Sequence, residues 1–183
     1  MSVVAAIGRP LDLELLGAAL LEALGDYYAS LHGDCYLLTF KQAGATYLFD
    51  NASSEDLSHD DRTVAAWALT PADVSKRDVS YQRGFPMAAD EQAPVDRGHL
   101  IPHLSGGEFG PNIFRQDRAL NRGWSEEGKR YRAMEREAAE RPGSFYFGHL
   151  LYDDDSDWPH EIETGVVRGD LLVVDRFVNR EAP

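Results

Sequence analysis

Four consecutive residues, Asp96-Arg97-Gly98-His99, bring a carboxylate, a guanidinium and an imidazole into one short segment, and asparagines follow at positions 112 and 121. Hydrolysis of a phosphodiester calls for such groups. A water must lose a proton as it attacks, charge developing on the phosphoryl oxygens must be stabilised, and the leaving oxygen must be neutralised. A neutral histidine suits the first task because imidazole titrates near working pH. A hard divalent cation suits the other two. Mg²⁺ prefers oxygen ligands and keeps several of its waters, so a site with one protein oxygen is chemically reasonable, and an asparagine side chain can supply that oxygen. Arg97 can contact phosphate through its planar fork, and Gly98 allows a close backbone approach. Each residue also has a plainer reading: His99 as a hydrogen-bonded structural histidine, Arg97 in a surface ion pair, Asp96 as structural, and Asn121, just before Gly123, as a helix-end residue.

The neighbours of these residues carry a resemblance. Asp96-Arg97-Gly98-His99-Leu100-Ile101-Pro102, then Pro111-Asn112-Ile113-Phe114-Arg115-Gln116 and Leu120-Asn121-Arg122-Gly123-Trp124, closely resemble the DNA/RNA non-specific endonucleases, which belong to the ββα-metal or His-Me finger nucleases. Tyr131-Arg132-Ala133-Met134-Glu135 resembles that family's downstream glutamate segment. Leu151-Tyr152-Asp153-Asp154 and Arg176-Phe177-Val178-Asn179 look like the branch found in bacterial polymorphic toxins. The resemblance runs from about Ser80 to Asn179 and leaves residues 1 to about 60 uncovered. It implies His99 as general base, Asn121 as direct ligand of one Mg²⁺ or Mn²⁺, and Arg97 on phosphate. It further implies that Asp96 positions the strand bearing His99, that Asn112 orients the site from behind, and that Glu135 anchors the hydrated metal through water. DNA and/or RNA would be the substrate. A toxin or effector setting would add a tight-binding immunity protein as partner.

One spacing resists this assignment. Asn121 and Glu135 are 14 residues apart, and a continuous helix would separate them by about 21 Å along its axis. Either the segment around Ser125 to Gly128 breaks the helix and folds it back, or Glu135 lies away from the metal and Glu126 and Glu127 compete for its role. Other constellations fail. His99 and His103 have zinc-pair spacing, but Pro102 lies between them. Asp153, Asp155 and Asp157 alternate like a calcium loop, but Trp158 and Thr164 stand where an EF-hand needs glycine and glutamate. His149 and Cys35 lie in apolar runs and read as structural or core. So does Trp124, which reads as core.

The elements that must position the site follow from periodicity. Leu13, Leu16, Leu20, Leu24 and Tyr27 mark a helix over Asp12–Leu31, with Asp12 as its cap and Gly33 just past its end. Cys35–Phe40 and Thr46–Phe49 read as strands about a Gly44 turn. Asn51–Arg62 reads as loop, Thr63–Leu69 is ambiguous, and Asp73–Pro94 reads as loop with one short strand. Asp96–Gly110 is Gly- and His-rich, with a strand expected to end at His99. Asn112–Asn121 and Gly128–Glu140 carry helical signals, Ser144–Tyr152 reads as a strand, and Glu163–Arg168 with Leu171–Phe177 reads as a hairpin about Gly169-Asp170. The expectation is one α+β domain over residues 1–183: a ββα-metal core, a mixed antiparallel sheet and flanking helices.

Bulk properties bound these readings. The 183 residues are 43% hydrophobic, enough for a core. No apolar run reaches the ~20 residues of a membrane span, and Met1–Arg9 reads as no secretory signal, so cytoplasmic synthesis, with delivery to another cell if the chain is an effector, is the expectation. One cysteine excludes an internal disulfide. The net charge of −13 has the wrong sign for a phosphate binder. From Lys76 to Arg141, however, 12 basic residues meet 11 acidic ones, whereas the rest of the chain holds 6 and 20. The overall charge motivates two alternatives: a catalytically silent acidic binding domain, and a phosphodiesterase acting on small nucleotides.

Overall fold

The computed structural model describes residues 13–73 and 95–180. The capping residue Asp12 and the loop read over 74–94 lie outside the described residues. Helix α1 (Leu13–His32) buries Leu16, Leu20, Leu24 and Tyr28. The apolar stripe thus ends on Tyr28, which continues the spacing of four, and not on Tyr27. The main sheet has six strands: β1 (Leu37–Gln42), β2 (Ala45–Asp50), β3 (Arg62–Leu69), β6 (Phe145–Leu151), β7 (Glu161–Arg168) and β8 (Leu171–Val178), in the order β1-β2-β3-β6-β7-β8. Every neighbouring pair among the described strands is antiparallel, in keeping with the α+β fold and antiparallel sheet expected. The residues left uncovered by the resemblance therefore supply two strands of the sheet.

The ambiguous segment Thr63–Leu69 becomes the central strand β3, buried at every position except Leu69. Its alanines favour a helix in isolation, but burial between β2 and β6 overrides that preference. α1 lies close over this strand: a Cβ on Gly17 would stand 2.8 Å from the Trp67 indole nitrogen. The β1–β2 turn uses Ala43 and Gly44, both at positive φ (49° and 83°), and the β7–β8 turn is Gly169-Asp170, both as two-residue hairpin geometry requires. A buried polar net ties α1 to the sheet. Asp50 accepts hydrogen bonds from the Tyr28 hydroxyl (2.8 Å) and the Tyr36 backbone N–H (2.9 Å), while Arg62 donates to Tyr28 (2.6 Å) and to the carbonyl of Asp154 (2.7 Å).

A second, two-stranded sheet joins β4 (Val95–His99) to β5 (Ile113–Asp117), with Arg97 opposite Arg115 and His99 opposite Ile113. Its strand β5 corrects the helix read over Asn112–Asn121. Burial alternates along Ile113–Asp117 with period two, and the helical signal belongs only to the short helix α2 (Arg118–Arg122). Helix α3 (Glu126–Ala139) follows.

The hairpin is seated on the main sheet just after His99. Leu100 is 1% exposed, and a Cβ on Gly148 of β6 would meet the Leu100 side chain at 2.3 Å and its carbonyl oxygen at 3.1 Å. Gly148→Ala should therefore overpack this contact, lower stability by about 1–3 kcal/mol and shift the β4 end that carries His99. Urea unfolding and the amide chemical shifts of residues 97–101 check this. An unchanged midpoint with unshifted amides would show that the seat is looser than described.

Candidate active site

A cleft of about 440 Å³ opens between β4, the turn at His103–Ser105, α2 and α3. Asp96, Arg97 and His99 line it from β4, Asn121 and Arg122 from α2, and Arg132, Glu135 and Arg136 from α3. Strand alternation puts Arg97 and His99 on one face of β4. His99 is 6% exposed, and its ring meets Phe109 edge-on at 5.7 Å.

The backward fold that Glu135 needed is present. α2 ends at Gly123, in the left-handed conformation at φ 69°. Ser125 then caps α3, accepting from the Gly128 N–H at 2.9 Å. Gly128 lets the two helices touch, since a Cβ there would lie 2.6 Å from the Ala119 carbonyl oxygen. The break brings Asn121 and Glu135 to one cleft. Glu126 and Glu127 lie in the first turn of α3 and do not line it.

Asp96 binds these elements together. Its carboxylate accepts from both Nε (2.7 Å) and Nη2 (2.9 Å) of Arg122, from Arg118 Nε (3.1 Å) and from Asn121 Nδ2 (3.1 Å). Burial alone would raise its pKa, but the hydrogen bonds from Arg122, Asn121 and Arg118 outweigh that and hold the carboxyl below its ordinary value. The bond to Asp96 also fixes the Asn121 amide: Nδ2 is used as a donor, so Oδ1 is the atom left to accept or to ligate.

Asn112 stands behind the cleft, fully buried. Its Oδ1 accepts from the Ile101 N–H (2.7 Å), and its Nδ2 donates to the carbonyls of Ile101 (2.9 Å) and Glu108 (2.8 Å). It thereby holds the chain that leaves His99 against the chain that enters β5. Gly107 allows the same closure, because a Cβ there would overlap the Ile101 carbonyl.

Glu135 pairs with Arg132 at 3.4 Å, and Arg132 also donates to the Asn121 carbonyl at 3.0 Å. Among the described residues, no three His, Cys, Asp or Glu side chains are grouped to hold an ion. Asn121 Oδ1 and the Glu135 carboxylate are both hard oxygen donors, and a cation held by these two would keep most of its waters, which fits Mg²⁺ or Mn²⁺ in ligand type.

Sequence reasoning assigned no role to Arg122, Arg132 or Arg136. The signal for the last two was present: residues 132, 135 and 136 share one face of a helix. Asn179 was also missed. It is buried, accepts from the Asp117 N–H (2.8 Å) and donates to the Arg115 carbonyl (2.8 Å), fixing β5 to the end of β8. Trp124 is corrected outright: read as core, it is 64% exposed. A slightly larger cleft of about 500 Å³, walled by Phe40, Phe49, Phe114 and Tyr152, lies elsewhere and holds none of the residues proposed for chemistry.

No family model matches the chain, and no curated protein matches it. A solved structure described as the Sda1 nuclease with bound zinc ion is similar over 81% of this chain and 76% of its own, at 13% identity and a TM-score of 0.41.

The Asp96 hub predicts a pH signature. Its folded pKa lies below the ordinary 3.8, so the ionised form stabilises the fold above that value, and the contribution disappears as pH falls through the folded pKa. Asp96→Asn should therefore lower the urea midpoint at about pH 5 to 7 and approach the wild type at about pH 3. The same deficit at both ends would remove the carboxylate charge from this role.

Proposed function

We propose that this chain is a metal-dependent nuclease that hydrolyses phosphodiester bonds of DNA and/or RNA without strong sequence preference. The observation that carries this reading is the convergence of Arg97, His99, Asn121 and Glu135, spread over 39 positions of sequence, on one cleft. The chain order β4, β5, α2, with His99 ending the first strand and Asn121 in the helix, supports a ββα-metal arrangement. Four arginines face two carboxylates in the cleft lining, so the local charge is positive in a chain of net −13, as phosphate binding requires.

His99 takes the proton of the attacking water onto its imidazole. Arg97, beside it on the same face, holds the phosphate through its fork, and the other cleft arginines draw in the flanking backbone. Asn121, oriented by Asp96, and Glu135 would hold the cation. When bound, that cation supplies Lewis-acid stabilisation of the phosphoryl and leaving oxygens. Asn112 keeps the chain behind His99 in place. The toxin or effector setting, with an immunity protein as partner, is part of this proposal and rests on the sequence resemblance.

The test is incubation with supercoiled plasmid, linear DNA and total RNA, in Mg²⁺ or in EDTA. Degradation should require the metal, and His99→Ala should slow it by about 10²–10⁴. A His99→Ala protein that cuts at the wild-type rate, or a wild type that cuts nothing, sinks the proposal. Asn121→Ala should move the Mg²⁺ dependence of the rate to higher concentration, and Glu135→Gln should do so less because it would act through water. A titration identical to wild type in Asn121→Ala would remove that residue from the cation site.

A further inference from the structure

We propose that Trp124 is a stacking platform for an unpaired base next to the scissile phosphate, and that the enzyme therefore prefers single-stranded or locally unpaired nucleic acid. The proposal rests on the nuclease reading of the cleft for the identity of its ligand.

Trp124 is the largest of the exposed apolar side chains, at 64% exposure. A single exposed apolar side chain is ordinary on a protein surface, so its surroundings and not its exposure carry the argument. Its place in the fold names a use. It sits two residues after Arg122, which lines the cleft, and the Arg122 guanidinium carbon lies 5.0 Å from the centre of its ring. Arg122 is itself held by two hydrogen bonds to Asp96. The backbone beneath the indole is equally fixed: the Trp124 N–H donates to the Ala119 carbonyl at 2.8 Å, Gly123 before it ends α2, and Ser125 after it caps α3. The indole thus stands on a fixed corner against Arg122 of the cleft lining, with the guanidinium over its ring and most of its surface open.

A flat π-surface beside an arginine-lined groove fits a nucleobase whose phosphate lies in the groove. Stacking of this kind tolerates any base, which agrees with cleavage without strong sequence preference. It excludes paired bases, because a base inside a duplex is stacked on its neighbours and cannot reach the indole without being turned out. Leu104, which lines the cleft and is 60% exposed, adds a second apolar surface on which an unpaired strand can lie.

The experiment uses the full chain carrying His99→Ala, in EDTA, so that nothing is cut. Fluorescence anisotropy measures binding of a labelled oligothymidylate of about twelve nucleotides and of its fully abasic counterpart. Trp124→Ala on this background should weaken oligothymidylate binding about 5- to 100-fold, change abasic binding by no more than about twofold, and abolish most of the tryptophan quenching seen on binding. Trp124→Phe should recover a large part of the affinity. Equal affinity of Trp124→Ala and its parent for oligothymidylate, or equal losses on both probes, would overturn the platform. Wild-type cleavage in Mg²⁺ is read alongside. Cleavage with a Trp124→Ala variant that binds normally leaves the nuclease standing and removes the platform. Trp124-dependent binding without cleavage keeps the platform and removes the hydrolysis. Neither binding nor cleavage overturns both.

Discussion

Asp96 lies at a junction where a carboxylate is needed for geometry before it is needed for anything chemical. Three side chains of α2 (Arg118, Asn121 and Arg122) converge on its two oxygens. A five-residue helix has little stability of its own, so these charge-assisted bonds, with the Asp117 cap accepting from the Leu120 N–H at 2.7 Å, are what hold α2 against β4. Much follows from that attachment. The amide of Asn121 is turned so that its oxygen is the free atom. Arg122 is held at the rim, beneath Trp124. The α2–α3 corner is set at the angle that returns Glu135 to the cleft. Three residues further along β4, His99 faces the volume those groups enclose.

The placement of charge also becomes intelligible. A chain of net −13 would repel a polyanion if its charge were evenly spread. Many acids outside the cleft are instead engaged locally: Asp153 and Asp154 with Arg180, Asp157 with Arg115 at 3.1 Å, Glu137 with Arg168. The cleft lining keeps an arginine excess, and such local charge acts over about 8–10 Å at ordinary ionic strength. Net charge alone motivates the alternative of a silent acidic domain. Local charge does not.

Much of the frame was legible where one local rule decided the outcome. α1, α3, β6 and both two-residue hairpins carry clear periodicity or turn residues, and they lie within a few positions of where the sequence put them. The failures share a cause. Thr63–Leu69 was undecided because alanine-rich segments take their state from what surrounds them. Asn112–Asn121 was misread because a five-residue strand runs directly into a five-residue helix at Asp117, leaving neither long enough to establish a period. Trp124 was misplaced because an aromatic residue is buried by default, and only the tertiary corner shows that it is not. In the candidate site, the residue types were legible and their convergence was not. His99 and Arg97 are neighbours on a strand, but the arrival of Glu135 depends on a break at Gly123 to Ser125 that spacing could only offer as one of two options.

The support behind the cleft explains why these residues can be held without long elements of their own. The β4–β5 hairpin has only two strands, and such a pair is marginal alone. Here it is fastened at three points to the six-stranded sheet: Leu100 against Gly148, the Thr63 hydroxyl on the Pro111 carbonyl, and Asn179 between Asp117 and Arg115. Asn112 closes the hairpin from within, with every polar atom of its side chain satisfied by backbone. The large sheet would therefore contribute to the proposed chemistry only indirectly. Its strands carry none of the residues lining the cleft, yet Leu100 directly follows His99, and Asp117, held by Asn179, lies four residues before Asn121. A site built on short elements is rigid to the extent that its anchors are, so under the proposed nuclease reading the buried contacts at Gly148, Asn112 and Asn179 would bear on catalysis as directly as the residues that would touch the phosphate.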